Sequence, residues 1–181
     1  MRILGVDPGL TRTGLGLIEV SSTGEPKVIE WLTIETPAGL PLAERLRELA
    51  ADLKQYLAEA TPDLAVVEKL FFATNKRTAM DVSQARGVIV AALSEAGMEV
   101  MEATPMQLKT TITGDGRADK KQMQSMVKRI LKLKEIPTPA DAADGLALAL
   151  YGAFTQKFSS PAHHRHSTHQ QSPPSKSRVS S

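Results

Sequence analysis

The sequence contains no cysteine, which excludes disulfides, thiolate zinc sites and cysteine nucleophiles together. Histidine occurs only as His163, His164, His166 and His169, all close to the C-terminus. A histidine-based triad or zinc site in the body of the chain is therefore excluded, and the four tail histidines are read as solvated. No apolar run approaches the ~18 residues of a membrane span. The opening MRILGVDPG has neither the apolar stretch nor the small-residue cleavage site of a secretory leader. A soluble, cytoplasmic protein with no membrane partner is expected.

What is present fits one compact domain with length to spare. The chain has 181 residues, 41% of them apolar, enough for an ordinary core. From residue 159 onward it is polar and rich in Ser, His and Pro, so we expect one folded domain over 1–158 and a disordered tail over 159–181. The net charge of +2 hides a division. Residues 1–156 carry 18 basic and 20 acidic side chains, whereas the remainder carries Lys157, Arg165, Lys176 and Arg178 with no acid. Any nucleic-acid surface must then be a local patch. Between Lys109 and Lys134 eight basic residues face only Asp115 and Asp119. A charge run is often just a solvated helix face, but this excess favours contact with a polyanion.

Periodicity orders the elements. Residues 3–7 form a short apolar strand stopped by Pro8-Gly9. A second strand over 13–20 holds Gly14 and Gly16, and glycine inside a strand often marks close approach of another backbone. Residues 27–34 complete an antiparallel meander. Leu42, Leu46, Leu49, Leu53 and Leu57 recur at helical spacing, which predicts an amphipathic helix over 40–60. The run Leu64 to Glu68 reads as a strand buried on both faces. A helix over 75–96, a strand over 99–102 and a helix after Thr104-Pro105 follow. A glycine-rich turn at 114–116 leads to a basic helix over 119–134, and an apolar helix runs over 139–158. This order predicts an α/β fold: a mixed five-stranded sheet with helices on both faces.

Four acids are the candidate chemistry. Asp7 and Glu68 each end an apolar strand at its C-terminal edge, where open α/β sheets place ligands. An acid before Pro-Gly is also a common turn residue. Asp141 lies where Thr138-Pro139-Ala140-Asp141 resembles a capping box, which would explain it without function. Asp144 lies one turn on, in a segment apolar on every face, and a buried carboxylate is costly unless paired or bound to metal. At i, i+3 spacing the two project from one side of the helix. Four acids without a nitrogen or sulfur partner suit a hard cation such as Mg²⁺. A metal pair ~3.5–4 Å apart would suit phosphodiester hydrolysis.

The segments VDPGLTRTG, PDLAVVEKLFFATN, QARGV, the stretch from Thr104 to Lys134 and DAADGLALAL together resemble the RuvC family of Holliday-junction resolvases, over residues 2–156. The resemblance implies a ribonuclease H-like fold, a homodimer, and Mg²⁺-dependent nicking of two opposed strands at a four-way DNA junction. Two ions per site are implied, with Mn²⁺ as a substitute. It places the catalytic, metal-holding carboxylates on Asp7, Glu68, Asp141 and Asp144, with Asp7 bridging the ions as in related folds. Some members have histidine at the position of Asp141; this chain has the four-carboxylate version. The resemblance also puts Phe71 near the junction centre, Lys109 and Lys120 on phosphates, and the 75–96 helix at the dimer interface. Its apolar stripe (Ala79, Val82, Ala85, Ile89) reads equally as core. Arg117 and Lys121 join the DNA-facing set through the local positive excess. Cooperation with a branch-migration helicase complex and preference for a short T-containing step are implied too. Competing readings are an RNA-processing nuclease of the same superfold with a similar DPG start, a sugar kinase or actin-like ATPase, and a non-catalytic junction-binding module. The chain is short for the kinases, and four intact acids argue against a module that only binds.

Overall fold

The computed structural model describes residues 1–69 and 76–158, with side chains in the second stretch described over 79–156. Strands β1 (Arg2–Asp7), β2 (Arg12–Val20) and β3 (Pro26–Glu35) form the antiparallel meander. Helix α1 (Leu42–Ala60) crosses to β4 (Leu64–Glu68), which pairs parallel with β1. Helix α2 (Lys76–Glu95) crosses to β5 (Glu99–Ala103), parallel with β4. Helices α3 (Pro105–Thr113), α4 (Lys120–Ile130) and α5 (Ala140–Phe158) complete the chain. The sheet order is β3-β2-β1-β4-β5, so the expected mixed five-stranded sheet is present.

Strand parity sorts the core into two layers. Ile3, Ile18, Leu64 and Val66 pack with α3, α4 and α5, while Leu4, Val6, Leu15, Leu17, Ala65 and Val67 pack with α1 and α2. Successive side chains point to opposite faces. Asp7 therefore shares the face of Ile3, and Glu68 that of Leu64 and Val66: both acids fall on the α5 side.

Helix α5 lies unusually close to that face. A Cβ on Gly14 would sit 1.9 Å from the Asp141 carbonyl oxygen, and one on Gly5 would sit 1.9 Å from that of Gly145. Only hydrogen fits at these positions, which is the close backbone approach expected from glycine inside a strand.

Three expectations need correction. The basic helix stops at Ile130 rather than 134, because Lys132 adopts φ 53° and the Lys132 and Leu133 N–H groups turn back to the Arg129 and Lys128 carbonyls. That is a Schellman closure, here without glycine. The capping box at Thr138 does not form. Pro139 supplies the carbonyl that accepts from Ala142 and Ala143, Thr138 accepts from the Trp31 indole at 3.1 Å, and the Asp141 carboxylate turns to Arg12. In α1, Leu49, Leu53 and Leu57 are buried as expected, but Leu42 is exposed. A genuine capping box occurs at Thr104 with Gln107, and another at Asp119 with Gln122.

Candidate active site

The site is assembled from the ends of two strands and the first turns of one helix. The β1–β4 register pairs Val6 with Val67, so Asp7 and Glu68 end neighbouring parallel strands at the same edge. After Asp7 the chain is held by the Thr13 hydroxyl, which donates to the Gly9 carbonyl at 2.7 Å. The Arg45 guanidinium, from α1, donates to the Thr11 and Thr36 hydroxyls at 2.9 and 3.1 Å. After Glu68 the Lys69 N–H continues the ladder to the Ala103 carbonyl at 2.8 Å. Arg86 of α2 donates from Nε to the Glu68 carbonyl at 3.0 Å and pairs through its Nη2 with Glu102.

Because α5 rests on Gly14, the strand residue paired with Asp7, its first turn brings acids against the strand end. One carboxylate oxygen each from Asp7, Asp141 and Asp144 lies within 4.8 Å of the others. Glu68 stands outside this trio. It lines a cavity of about 210 Å³ beside it, with Asp7, Asp144, Lys109, Lys120 and an apolar wall that includes Leu108 and Met123. The four expected acids thus converge as a tight three plus one.

Two cations touch the helix acids. Lys120 Nζ lies 2.9 Å from Asp144 Oδ2, and Arg12 Nη1 lies 3.4 Å from Asp141 Oδ2. Neither Asp7 nor Glu68 has such a side-chain partner among the described residues. The electrostatics follow. Burial, reinforced by the charges of Glu68, Asp144 and Asp141, pushes the Asp7 carboxyl up to about 8, with Lys120 opposing. Burial and then Asp144 raise Glu68, again against Lys120. Burial raises Asp144 although its hydrogen bond to Lys120 works the other way. Lys120 itself is raised, mainly by that hydrogen bond. Asp7, Glu68 and Asp144, which resist ionising together, mark a site short of positive charge. Oxygens on one Mg²⁺ at ~2.1 Å lie up to ~4.2 Å apart, so the spacing of the trio has the right scale for a hard cation.

The other expected residues scatter more widely. Lys109 and Lys120 are at the cavity wall. Arg117, in the turn before α4, and Lys121, in its first turn, are exposed and outside the cavity lining. Phe71 lies outside the described residues, as do the four histidines. Of the apolar stripe on α2, Ala85 and Ile89 are fully buried in the chain's own core, so they are not surface for a second subunit. Sequence reading missed Arg12 and Arg86. Arg12 was legible in principle: it shares strand parity with Gly14 and Gly16. Arg86 acts on a backbone carbonyl across a helix–strand junction, and no spacing marks that.

Comparison with known proteins gives a consistent result. The family model described as crossover junction endodeoxyribonuclease RuvC matches residues 3–151. A protein of that name from Renibacterium salmoninarum is 45% identical over 154 residues, covering 85% of this chain and 80% of its own. The structure of Thermus thermophilus RuvC in complex with a Holliday junction substrate superposes with a TM-score of 0.82 at 34% identity, over 88% of this chain and 96% of that one. The yeast mitochondrial Holliday junction resolvase, at 13% identity and a TM-score of 0.65 over 86% of this chain and 78% of its own, shares the fold.

Proposed function

The chain belongs to the RuvC family of crossover junction endodeoxyribonucleases, and from that membership we propose that it resolves four-way DNA junctions by hydrolysing one phosphodiester in each of two opposed strands, with Asp7, Glu68, Asp141 and Asp144 as the catalytic carboxylates. The observation that carries the assignment is the convergence of Asp7, Asp141 and Asp144 oxygens within 4.8 Å at a sheet edge. Acids beside a phosphate backbone are unfavourable unless a cation neutralises them.

Asp7, Asp141 and Asp144 would hold one divalent ion, and Asp7 with Glu68 a second. Bound there, Mg²⁺, or Mn²⁺ in its place, supplies activation of water and stabilisation of the leaving oxygen. The chain's own residues do the rest. Asp7, the most buried acid, is positioned by the Pro8-Gly9 turn and by the helix resting on Gly14. Lys120 offsets part of the cost of the Asp144 charge, and with Lys109 it offers an ammonium to the substrate backbone. Arg117 and Lys121 extend that surface, and Phe71 supplies an aromatic at the junction. With no histidine before residue 163, proton transfer is left to carboxylates, lysine and water.

One carboxylate cluster cuts one strand, so paired nicking calls for two copies. A homodimer would use the outer face of α2, where Met80 is 64% exposed and Gly87 has open space above it. A branch-migration helicase complex is the further partner. None of the described helices is long and apolar enough to cross a membrane.

The deciding experiment offers purified protein a four-way junction, a linear duplex and an RNA–DNA hybrid, first with Mg²⁺ and then with EDTA. Symmetric, EDTA-sensitive nicking of the junction alone is expected. Preferential cutting of the hybrid would overturn the resolvase reading.

A further inference from the structure

Arg12 begins β2 directly opposite Glu35, the last residue of β3. Its Nε donates to Glu35 Oε1 at 2.9 Å and its Nη1 to Asp141 Oδ2 at 3.4 Å. A guanidinium carries five N–H donors. Two are used here, and the remaining three meet no protein acceptor among the described residues. The side chain is 46% exposed. Two carboxylates therefore fix the plane of a guanidinium whose remaining donors face solvent at the rim of the acid cluster.

Its location is as telling as its geometry. Arg12 lies on the β2 side of Asp7, whereas Glu68, Lys109 and Lys120 line the cavity on the β4 side, which Arg12 does not reach. A polyanionic strand crossing the carboxylates would meet ammonium groups on one flank only, unless Arg12 serves the other. Fixed guanidinium forks suit phosphate oxygens bidentately, and a fork already oriented loses less entropy on binding. We propose that Arg12 is a phosphate-binding residue, braced by Glu35 and Asp141, that holds the DNA backbone on the flank of the carboxylate cluster opposite Lys109 and Lys120. The inference rests on the nuclease reading, and it adds a contact that the basic stretch from Lys109 to Lys134 does not contain.

The test is the salt dependence of DNA binding, measured by anisotropy in EDTA so that nothing is cut, across ~50–300 mM salt. Each phosphate contact contributes about 0.9 to the slope of log affinity against log salt. Arg12→Ala should flatten that slope by about 0.9 for each Arg12 that reaches a phosphate. Arg12→Lys should keep the slope while weakening binding several-fold, since a point charge loses the fork. Lys54→Ala removes the same charge on α1, where Lys54 pairs with Glu95 away from the cluster, and should leave the slope unchanged. If Arg12→Ala binds with the wild-type slope, or if Lys54→Ala flattens it equally, the proposal fails. A wild-type protein without preference for the junction would overturn the resolvase reading instead, and the Arg12 comparison could still be read on duplex DNA.

Discussion

The backbone of Asp141 rests directly on Gly14, the residue that pairs with Asp7 across β1 and β2. Two acids more than 130 positions apart come together because this strand position, like Gly5 and Gly16, has no side chain. A methyl group there would lie 1.9 Å from the Asp141 carbonyl oxygen, so the helix would have to move. Gly14→Ala should slow cutting by about two orders of magnitude or more. It should also lower stability by ~1–3 kcal/mol, in the range of overpacking. Gly39→Ala, at a site with open space, should change neither. Cutting rates and thermal melts of the two variants check this.

Asp7 makes a prediction whose sign differs from that of an ordinary paired acid. Its carboxyl titrates near 8 in the folded chain and near 3.8 in the unfolded one. The folded state therefore binds the proton more tightly, so its stability contribution is present below about 4 and is lost as pH rises toward 8. Without divalent cation the protein should lose stability across that window. Glu68 and Asp144, also raised, push in the same direction. Asp7→Asn should remove much of the loss, on the order of a few kcal/mol, while abolishing cutting and leaving junction binding intact. Melting in EDTA at a series of pH values tests this, and a wild type that becomes steadily more stable from pH 5 to 8 would contradict it.

Among the described residues, Lys120 is the one cation that opposes the raised pKa values of Asp7, Glu68 and Asp144 alike. In Lys120→Ala all three should titrate higher still, so the acidic limb of the pH–rate profile should move to higher pH. Lys120→Arg should hold the limb near its wild-type position, because the charge stays. A drop in rate with an unmoved limb would mean that Lys120 serves the substrate alone.

Arg86 predicts a subtler defect. Its bond to the Glu68 carbonyl holds the end of β4, where the fourth acid stands apart from the other three. Arg86→Ala should lower the single-turnover cutting rate by about tenfold with little change in junction affinity. A matching fall in affinity would place its role in DNA binding.

Much of this arrangement is legible from the residues alone, for identifiable reasons. Alternation and buried runs locate β1 and β4, and their ends locate Asp7 and Glu68, because strand pattern is local and strong. Gly14 and Gly16 announce a close neighbour without saying which. Asp141 shows the limit. Its capping pattern is genuine as a pattern, yet Arg12 and the Pro139 carbonyl satisfy the groups in another way, and that competition is decided by tertiary contact. Ala85 and Ile89 fail as surface for the same reason: an apolar stripe says that a face is buried, not what buries it. The basic helix ends early because Lys132 takes a backbone conformation that lysine rarely adopts.

The packing of α5 on glycine also sets an order of events. The helix bearing two of the acids is the last element of the described fold, while the strands it docks on come near the start. Until α5 is made, Asp7 lacks the two helix acids, and Ile3, Ile18, Leu64 and Val66 lack the face that covers them. The carboxylate trio and one layer of the core are therefore completed by the same contact, that of α5 with Gly5, Gly14 and Gly16.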